Sequence, residues 1–413
     1  MRPLTMIHTS DWHLGRTFYE KDRYPEHEKF LQWLFEKIQE HGAELLVVSG
    51  DLFDTASPSN RSLQLYSDFL CKVTAETSCQ IVIVAGNHDS PSYLSALRNV
   101  FRRVKVHITG TAARPDRIQE EVFTLKDLAG QALAVVAAVP YLREGDIRRS
   151  AEGEAVDDRD ALFYAGVQRH YERVTSAARS ARTLAGDVPM ILMGHLFTAG
   201  SRLSQRRASD DFYVGALGLV SPAIFSLDFD YVALGHLHIA QAVAGTETIR
   251  YSGAPLIFDF PKEPVACSCA LVRFGGQQTE VEQLKIPIFQ KIVSIFGTWP
   301  QLENQLDALI ADGTPVWLEV LYTGTEPMPD LSTRVLERTG GTCVEPLRIN
   351  FRQTCTPSVA ADPVRKSLKD FTVFDVFEQV LQKTNYSDDD KKMLRDLYIQ
   401  SITAVQNADT NAK

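Results

Sequence analysis

Leu45-Leu46-Val47-Val48-Ser49-Gly50-Asp51-Leu52-Phe53-Asp54 opens as an apolar run and stops at a glycine and a carboxylate. Four large apolar residues in a row suit a strand covered on both faces, as in an α/β sheet. The turns after the carboxyl ends of such strands hold the site, which makes Asp51 a candidate by position. The pattern recurs on either side of this stretch. A strand over 4–9 runs into Asp11-Trp12-His13, and one over 80–85 into Gly86-Asn87-His88-Asp89. Strands over 188–193 and 231–234 run into Gly194-His195 and Gly235-His236-Leu237-His238. Helical periodicity fills the gaps, over 26–40 with Phe30, Leu34 and Ile38 on one face, and over 59–74.

Singly, each residue has a bland reading. Asp11 could cap a turn, His195 could sit in a core, and Asn87 favours a left-handed turn. Jointly these readings fail, because they do not explain why seven suitable residues follow five strands. Asp11, His13, Asp51, Asn87, His195, His236 and His238 together read as a two-metal site for phosphate esters. Such an ester is anionic and a poor electrophile, and a pair of divalent cations neutralises it and activates water. Asp51 is the natural bridging carboxylate. The two-residue spacing of Asp11 and His13, and of His236 and His238, is expected to turn each pair to one side of extended chain. Mixed carboxylate and imidazole donors suit Mn²⁺, Fe²⁺ or Zn²⁺ better than an all-oxygen Mg²⁺ site.

These motifs, in this order, resemble the calcineurin-like metallophosphoesterase superfamily. The wording of Asp11-Trp12-His13-Leu14-Gly15, Gly50 to Asp54, Gly86 to Ser90 and Tyr251-Ser252-Gly253-Ala254-Pro255 is similar to one family within it. That family is the nuclease subunits of the bacterial SbcC–SbcD exonuclease. The resemblance implies a layered α/β β-sandwich flanked by helices, with a small α+β capping domain and C-terminal helices. It implies that Asp11, His13, Asp51 and His238 hold one metal, and Asp51, Asn87, His195 and His236 the other, with Mn²⁺ as the expected ion. It gives His88 a catalytic role at the scissile phosphate. Some relatives carry a histidine where this chain has Asp54, so no catalytic role is expected of Asp54. Ile239 stands where many relatives have a basic residue, which puts a DNA contact there in doubt. The implied activity is ATP-dependent exonuclease on duplex ends and endonuclease on single strands or hairpins, in DNA repair, recombination and replication. The implied assembly is a homodimer with two SbcC-type coiled-coil ATPase subunits, the helices over 59–74 and 91–103 being candidates for the dimer contact. No GxxxxGK[ST] loop is present, so nucleotide must be bound by the partner.

Composition is compatible with this. The 413 residues are 44% apolar and carry a net charge of −9, which does not describe a protein that coats DNA in bulk. DNA contacts are then expected from local basic clusters. Arg202, Arg206 and Arg207 lie between two ligand segments and are the better placed; Arg98, Arg102, Arg103 and Lys105 form a second cluster. His8, His27, His41, His107 and His170 lack a ligand context and read as structural. The six scattered cysteines form no zinc pattern and fit a reducing cytoplasm. With no apolar run long enough for a membrane span and no room for a signal peptide, a cytoplasmic, nucleoid-associated protein is expected.

Periodicity divides the chain into a metallophosphoesterase domain over 1–285, a β-α-β-α-β capping domain over 286–351, a linker over 352–368, partner-binding helices over 369–407 and a disordered tail over 408–413. Phe371, Phe374, Phe377 and Leu381 recur at helical spacing, and two helices are too few to bury a core alone, so a partner surface is expected. The competing function is a phosphoesterase for small phosphodiesters or phosphoproteins. A third class, an interaction protein with a dead site, is opposed by the intact ligand set.

Overall fold

The computed structural model describes residues 1–147, 156–198, 220–261, 265–276 and 278–351, with Leu381, Lys391, residues 393–395 and Tyr398 near the C-terminus. The chain divides into two compact units, Met1–Gln353 and Thr354–Lys413. Arg202, Arg206, Arg207, Phe371, Phe374 and Phe377 lie outside the described residues. In the second unit Leu381 is helical and buried.

The first unit opens with four parallel strands, β1 (Leu4–Thr9), β2 (Leu45–Ser49), β3 (Gln80–Val84) and β4 (Val106–Thr109), which lie side by side in that order. Strands β5 (Val122–Lys126), β6 (Ala132–Ala138), β7 (Met190–His195), β8 (Tyr231–Gly235), β9 (Gln241–Val243) and β10 (Thr246–Tyr251) form a second sheet, ordered β5-β6-β7-β8-β10-β9. The chain then returns to the first sheet as β11 (Ser268–Phe274) and β12 (Glu280–Lys285), antiparallel on the free side of β1.

The sheets stack as a sandwich. Met6, Val47 and Val82 meet Val136, Ile191 and Tyr231 in the layer between them. Alternate residues of the first sheet, Ile7, Leu46 and Ile83, face α1 (Tyr24–Glu40) and α2 (Asn60–Glu76). Helix α3 (Pro91–Phe101) packs beside β4, and the short α4 (Glu144–Ile147) precedes α5 (Val156–Ala185). Phe163, Val167, Tyr171 and Val174 of α5 cover the outer face of the second sheet. Burial on both faces explains why β2 and β3 are continuous apolar runs. Ser59 caps α2, accepting from the backbone N–H of Ser62 at 3.1 Å, which is worth about 1 kcal/mol.

A third, parallel sheet of β13 (Lys291–Gly297), β14 (Val316–Tyr322) and β15 (Val344–Phe351) packs on α6 (Trp299–Asp312) and α7 (Leu331–Thr339) around Leu302, Leu318 and Val335. Phe18 stacks on Trp317 with ring centroids 5.5 Å apart, and Arg348 donates to the Tyr19 hydroxyl at 3.1 Å. These contacts join this sheet to the chain that follows the Asp11–His13 segment.

Register decides where the site falls. Thr9 pairs with Val48, and Ser49 with Val84, so β1, β2 and β3 end level with one another. His195 pairs with Gly235 in the second sheet. The Ser49 hydroxyl donates to the Ala233 carbonyl at 3.0 Å, which brings the corresponding ends of the two sheets together.

Candidate metal centre

The backbone at these strand ends is unusual. Asp11, His13, Asp51 and His236 all have positive φ, at 54°, 45°, 51° and 101°. They are half of the eight non-glycine residues with positive φ among the described residues. Such conformations cost about 1–3 kcal/mol each and persist where surrounding bonds impose them. Here the N–H groups of Asp11, His13 and Leu14 donate to the carbonyls of Gly50, Asp51 and Leu52 at 2.9, 3.0 and 2.9 Å. This corrects one expectation. Asp11 and His13, and likewise His236, are not turned to one side by extended chain; left-handed turns aim them. Two glycines make room. A Cβ on Gly50 would strike the His195 ring, and one on Gly86 the Asp51 carboxylate.

All seven ligand candidates and His88 converge. Oδ2 of Asp51 lies 3.6 Å from Nε2 of His13 and 3.3 Å from Nε2 of His195. On one side, Nε2 of His13 faces Nε2 of His238 at 3.3 Å. On the other, Oδ1 of Asn87 sits 3.0 Å from Nε2 of His195 and 3.1 Å from Nδ1 of His236. The Asp11 carboxylate accepts from the His236 N–H at 3.0 Å through Oδ1. Donor atoms of Asp11, His13 and His238 lie within 4.8 Å of one another, as do those of Asp11, Asp51 and His195, and those of His13, Asp51 and His88. Imidazole nitrogens that converge on each other, on the Asp51 carboxylate and on an amide oxygen fit a shared cation that takes the place of the protons between them. The donor set therefore fits two divalent metals around a central carboxylate. Asp11, His13, Asp51 and His195 are buried; Asn87, His88, His236 and His238 are half-buried and form the open side.

Electrostatics agree with a site built for positive charge. Burial pushes Asp51 up, but His195, His13 and His88 together hold it well below the usual carboxylate range. Asp11 is raised, chiefly by burial and also by the Asp51 charge. Burial pushes His195 down, yet Asp51, Asp11 and the Ser49 carbonyl raise it to about 9. Nδ1–H of His195 donates to that carbonyl at 2.8 Å, which fixes its tautomer and aims Nε2 into the site. His236 is lowered to about 3, by burial and then by His195. Burial and the His13 charge also lower His238.

Two residues matter more than the sequence suggested. Asp89 is buried and accepts from the N–H groups of Gly86, Phe53 and Leu52 at 2.8, 3.1 and 3.2 Å. It ties the Asp51 turn to the Asn87–His88 turn. Asp54 has its Oδ1 3.3 Å from Nδ1 of His13, while its carbonyl oxygen accepts from Nδ1–H of His88 at 2.8 Å. Only its place three residues after Asp51 could have flagged it. Phe258 packs edge-on to His13 and His238 and lies under the Arg16 guanidinium at 4.7 Å. Ile239 is partly exposed beside the site.

Comparison with known proteins agrees with this geometry. Residues 4–240 match the calcineurin-like phosphoesterase family, and residues 288–385 match SbcD_C, described as the type 5 capsule protein repressor C-terminal domain. The chain is 31% identical over 404 residues to SbcD of the SbcCD nuclease from Escherichia coli (strain K12), covering 97% of this chain and 98% of that protein. It is 36% identical over 256 residues to SbcD of the same nuclease from Rhodobacter capsulatus, covering 61% of this chain and 62% of that protein. It is 30% identical over 273 residues to SbcD of Bacillus subtilis, covering 65% and 66%. The chain belongs to the calcineurin-like phosphoesterase family and, within it, to the SbcD family of SbcCD nucleases.

Proposed function

We propose that this chain is the metal-dependent nuclease component of an SbcCD-type complex, hydrolysing phosphodiester bonds of DNA. The observation that carries this is Asp51, whose one carboxylate oxygen faces donors of both clusters, His13 at 3.6 Å and His195 at 3.3 Å. Asp11, His13, Asp51 and His238 would hold one metal, and Asp51, Asn87, His195 and His236 the other; Mn²⁺ is the ion proposed. When bound, two such cations neutralise the phosphodiester and activate a water as nucleophile. His88 stands on the open side with Nδ1–H fixed on the Asp54 carbonyl. That leaves Nε2 as the ring atom that would assist the leaving oxygen, as acid or as electrostatic stabiliser.

The assembly follows the name of the relatives. We assign this chain a partner SbcC-type coiled-coil ATPase that supplies nucleotide chemistry, in a complex of two copies of each protein, with the segment over 369–407 as the partner-binding region. In that complex the chain would act as a duplex exonuclease and a single-strand or hairpin endonuclease, in repair, recombination and replication. No described helix is long and apolar enough to cross a membrane.

The test is cleavage of an end-labelled linear duplex and a single-stranded circle in Mn²⁺, with His88→Ala as control. Cleavage that the variant lacks is expected. Hydrolysis of a small chromogenic phosphodiester without DNA cleavage, even with the ATPase and ATP present, would overturn the nuclease reading.

A further inference from the structure

A basic groove runs along the open edge of the sandwich, between β4 of one sheet and β5 of the other. Its upper part, about 390 Å³, is bounded by α3 and by the segment that carries Arg114 and Arg117. Its lower part, about 230 Å³, lies between Arg102, just past the end of α3, and the facing residues of β4 and β5. Arg98 and Glu120 line both parts, so the two are one groove.

Four arginines line it against one carboxylate. Glu120 lies 3.5 Å from Arg98 and 3.4 Å from Arg117. Both separations exceed the roughly 2.7–2.9 Å of a strong charge-assisted bond. Arg102 and Arg114 are exposed and have no carboxylate within ion-pair distance among the described residues. In a chain of net charge −9, such a local excess of guanidinium forks is the footprint of a phosphate ligand.

Position narrows the ligand. β2, β3 and β4 are parallel, so the upper end of the groove opens on the same edge as Asp51. Two strand spacings separate β4 from β2, about 10 Å. Arg98 lies seven residues along α3 from Pro91, about 10 Å further, and Pro91 follows Asp89 by two residues. A strand crossing this edge would meet the arginines about 10–20 Å from the metals, or roughly three to six nucleotides at the ~3.4 Å rise of duplex DNA.

We propose that this groove binds the sugar–phosphate backbone of the nucleic-acid substrate a few nucleotides from the cleaved bond, with Arg98, Arg102, Arg114 and Arg117 contacting phosphates. Glu120 stands in for a phosphate when the groove is free of substrate. The inference rests on the nuclease reading above. It assigns the groove no base specificity, because guanidinium contacts to phosphate position a duplex without reading it.

The test uses the full chain with Arg114→Glu and Arg117→Glu combined, both exposed positions outside the candidate dimer helices. Binding of a short fluorescein-labelled DNA duplex is measured over a salt series, with Ca²⁺ in place of Mn²⁺. Hydrolysis of bis(p-nitrophenyl) phosphate in Mn²⁺ reports the integrity of the metal centre. The slope of log affinity against log salt is expected to fall by about two, which weakens binding roughly fiftyfold at 0.1 M salt relative to 1 M. Hydrolysis of the small diester is expected to be unchanged, and Glu120→Gln to tighten DNA binding. Wild-type affinity and slope in the double variant would overturn the groove alone. A parent chain that hydrolyses the small diester but binds no DNA would remove the nuclease reading and the groove with it.

Discussion

Asp54 fixes the ring of His88: its carbonyl oxygen accepts from Nδ1–H at 2.8 Å, while its carboxylate lies 3.3 Å from Nδ1 of His13. One residue thus fixes the tautomer of His88 through its carbonyl oxygen and places its carboxylate beside a proposed metal ligand. Since His88 is held by backbone, its removal should leave the ligand cage intact. His88→Ala is expected to keep both Mn²⁺ ions and to lose about 10²–10⁴ in turnover. Mn²⁺ titration followed by electron paramagnetic resonance checks this, and loss of both ions would sink the role given to His88.

Asp51 faces both clusters, so its loss cannot be confined to one. Asp51→Asn is expected to abolish binding of at least one metal, and to cost more than the roughly 10–100-fold in affinity typical of outer-shell changes. Isothermal titration gives the stoichiometry. Two sites of unchanged affinity would show that Asp51 is not the shared ligand.

Metal binding should release a proton. Without metal, His195 is raised to about 9, so at pH 7.5 it is charged, and a ligand must be neutral. Below pH 9 the apparent affinity is expected to rise by about tenfold per pH unit. Titrations in buffers of different ionisation heat should count about one proton released. A pH-independent affinity between pH 6.5 and 8.5 would contradict the charge on His195.

Asp89 stabilises the site by satisfying three backbone N–H groups at once. Burial and the Asp51 charge raise its own pKa to about 6, against those bonds. Asp89→Ala strands the three donors at about 1–3 kcal/mol each. A loss of roughly 3 kcal/mol or more is expected in denaturant unfolding, together with weaker metal binding. A variant as stable as the parent would show that the two turns hold without it.

His8 and His27 make the fold acid-sensitive. Both are buried neutral and lowered to about 3, by burial first and then by Arg250 for His8 and Arg23 for His27. Neither ring nitrogen of His27 has a hydrogen-bond partner among the described residues. The unfolded chain binds their protons near 6.5 and the folded chain only near 3, so stability is full above 6.5 and is lost as pH falls towards 3. At pH 5 each costs about 2 kcal/mol. His27→Gln should flatten the profile between pH 6.5 and 4.5, and an unchanged slope would refute the assignment.

Much of this was legible in the residues. β2 and β3 are apolar without interruption because both faces are covered, and such runs are visible in any sequence. The ligand motifs were legible because glycine, carboxylate and imidazole follow each run. What escaped was written in pairing rather than composition. β12 is an edge strand with exposed glutamates, and β9 has three residues, so neither carries an apolar signal. Asp54 and Asp89 act through bonds to segments that only the folded chain brings near.

The sequence by itself determined the donor types, their order and the strands that deliver them, because covalent neighbours suffice to place a carboxylate after a strand. Tertiary structure alone decided how they meet. Asp51 and His195 are 3.3 Å apart because two sheets stack with their carboxyl ends level. The left-handed turns at Asp11, His13, Asp51 and His236 persist because bonds between separate turns, among them Asp11 N–H to Gly50 and His236 N–H to Asp11, outweigh the local preference of each residue.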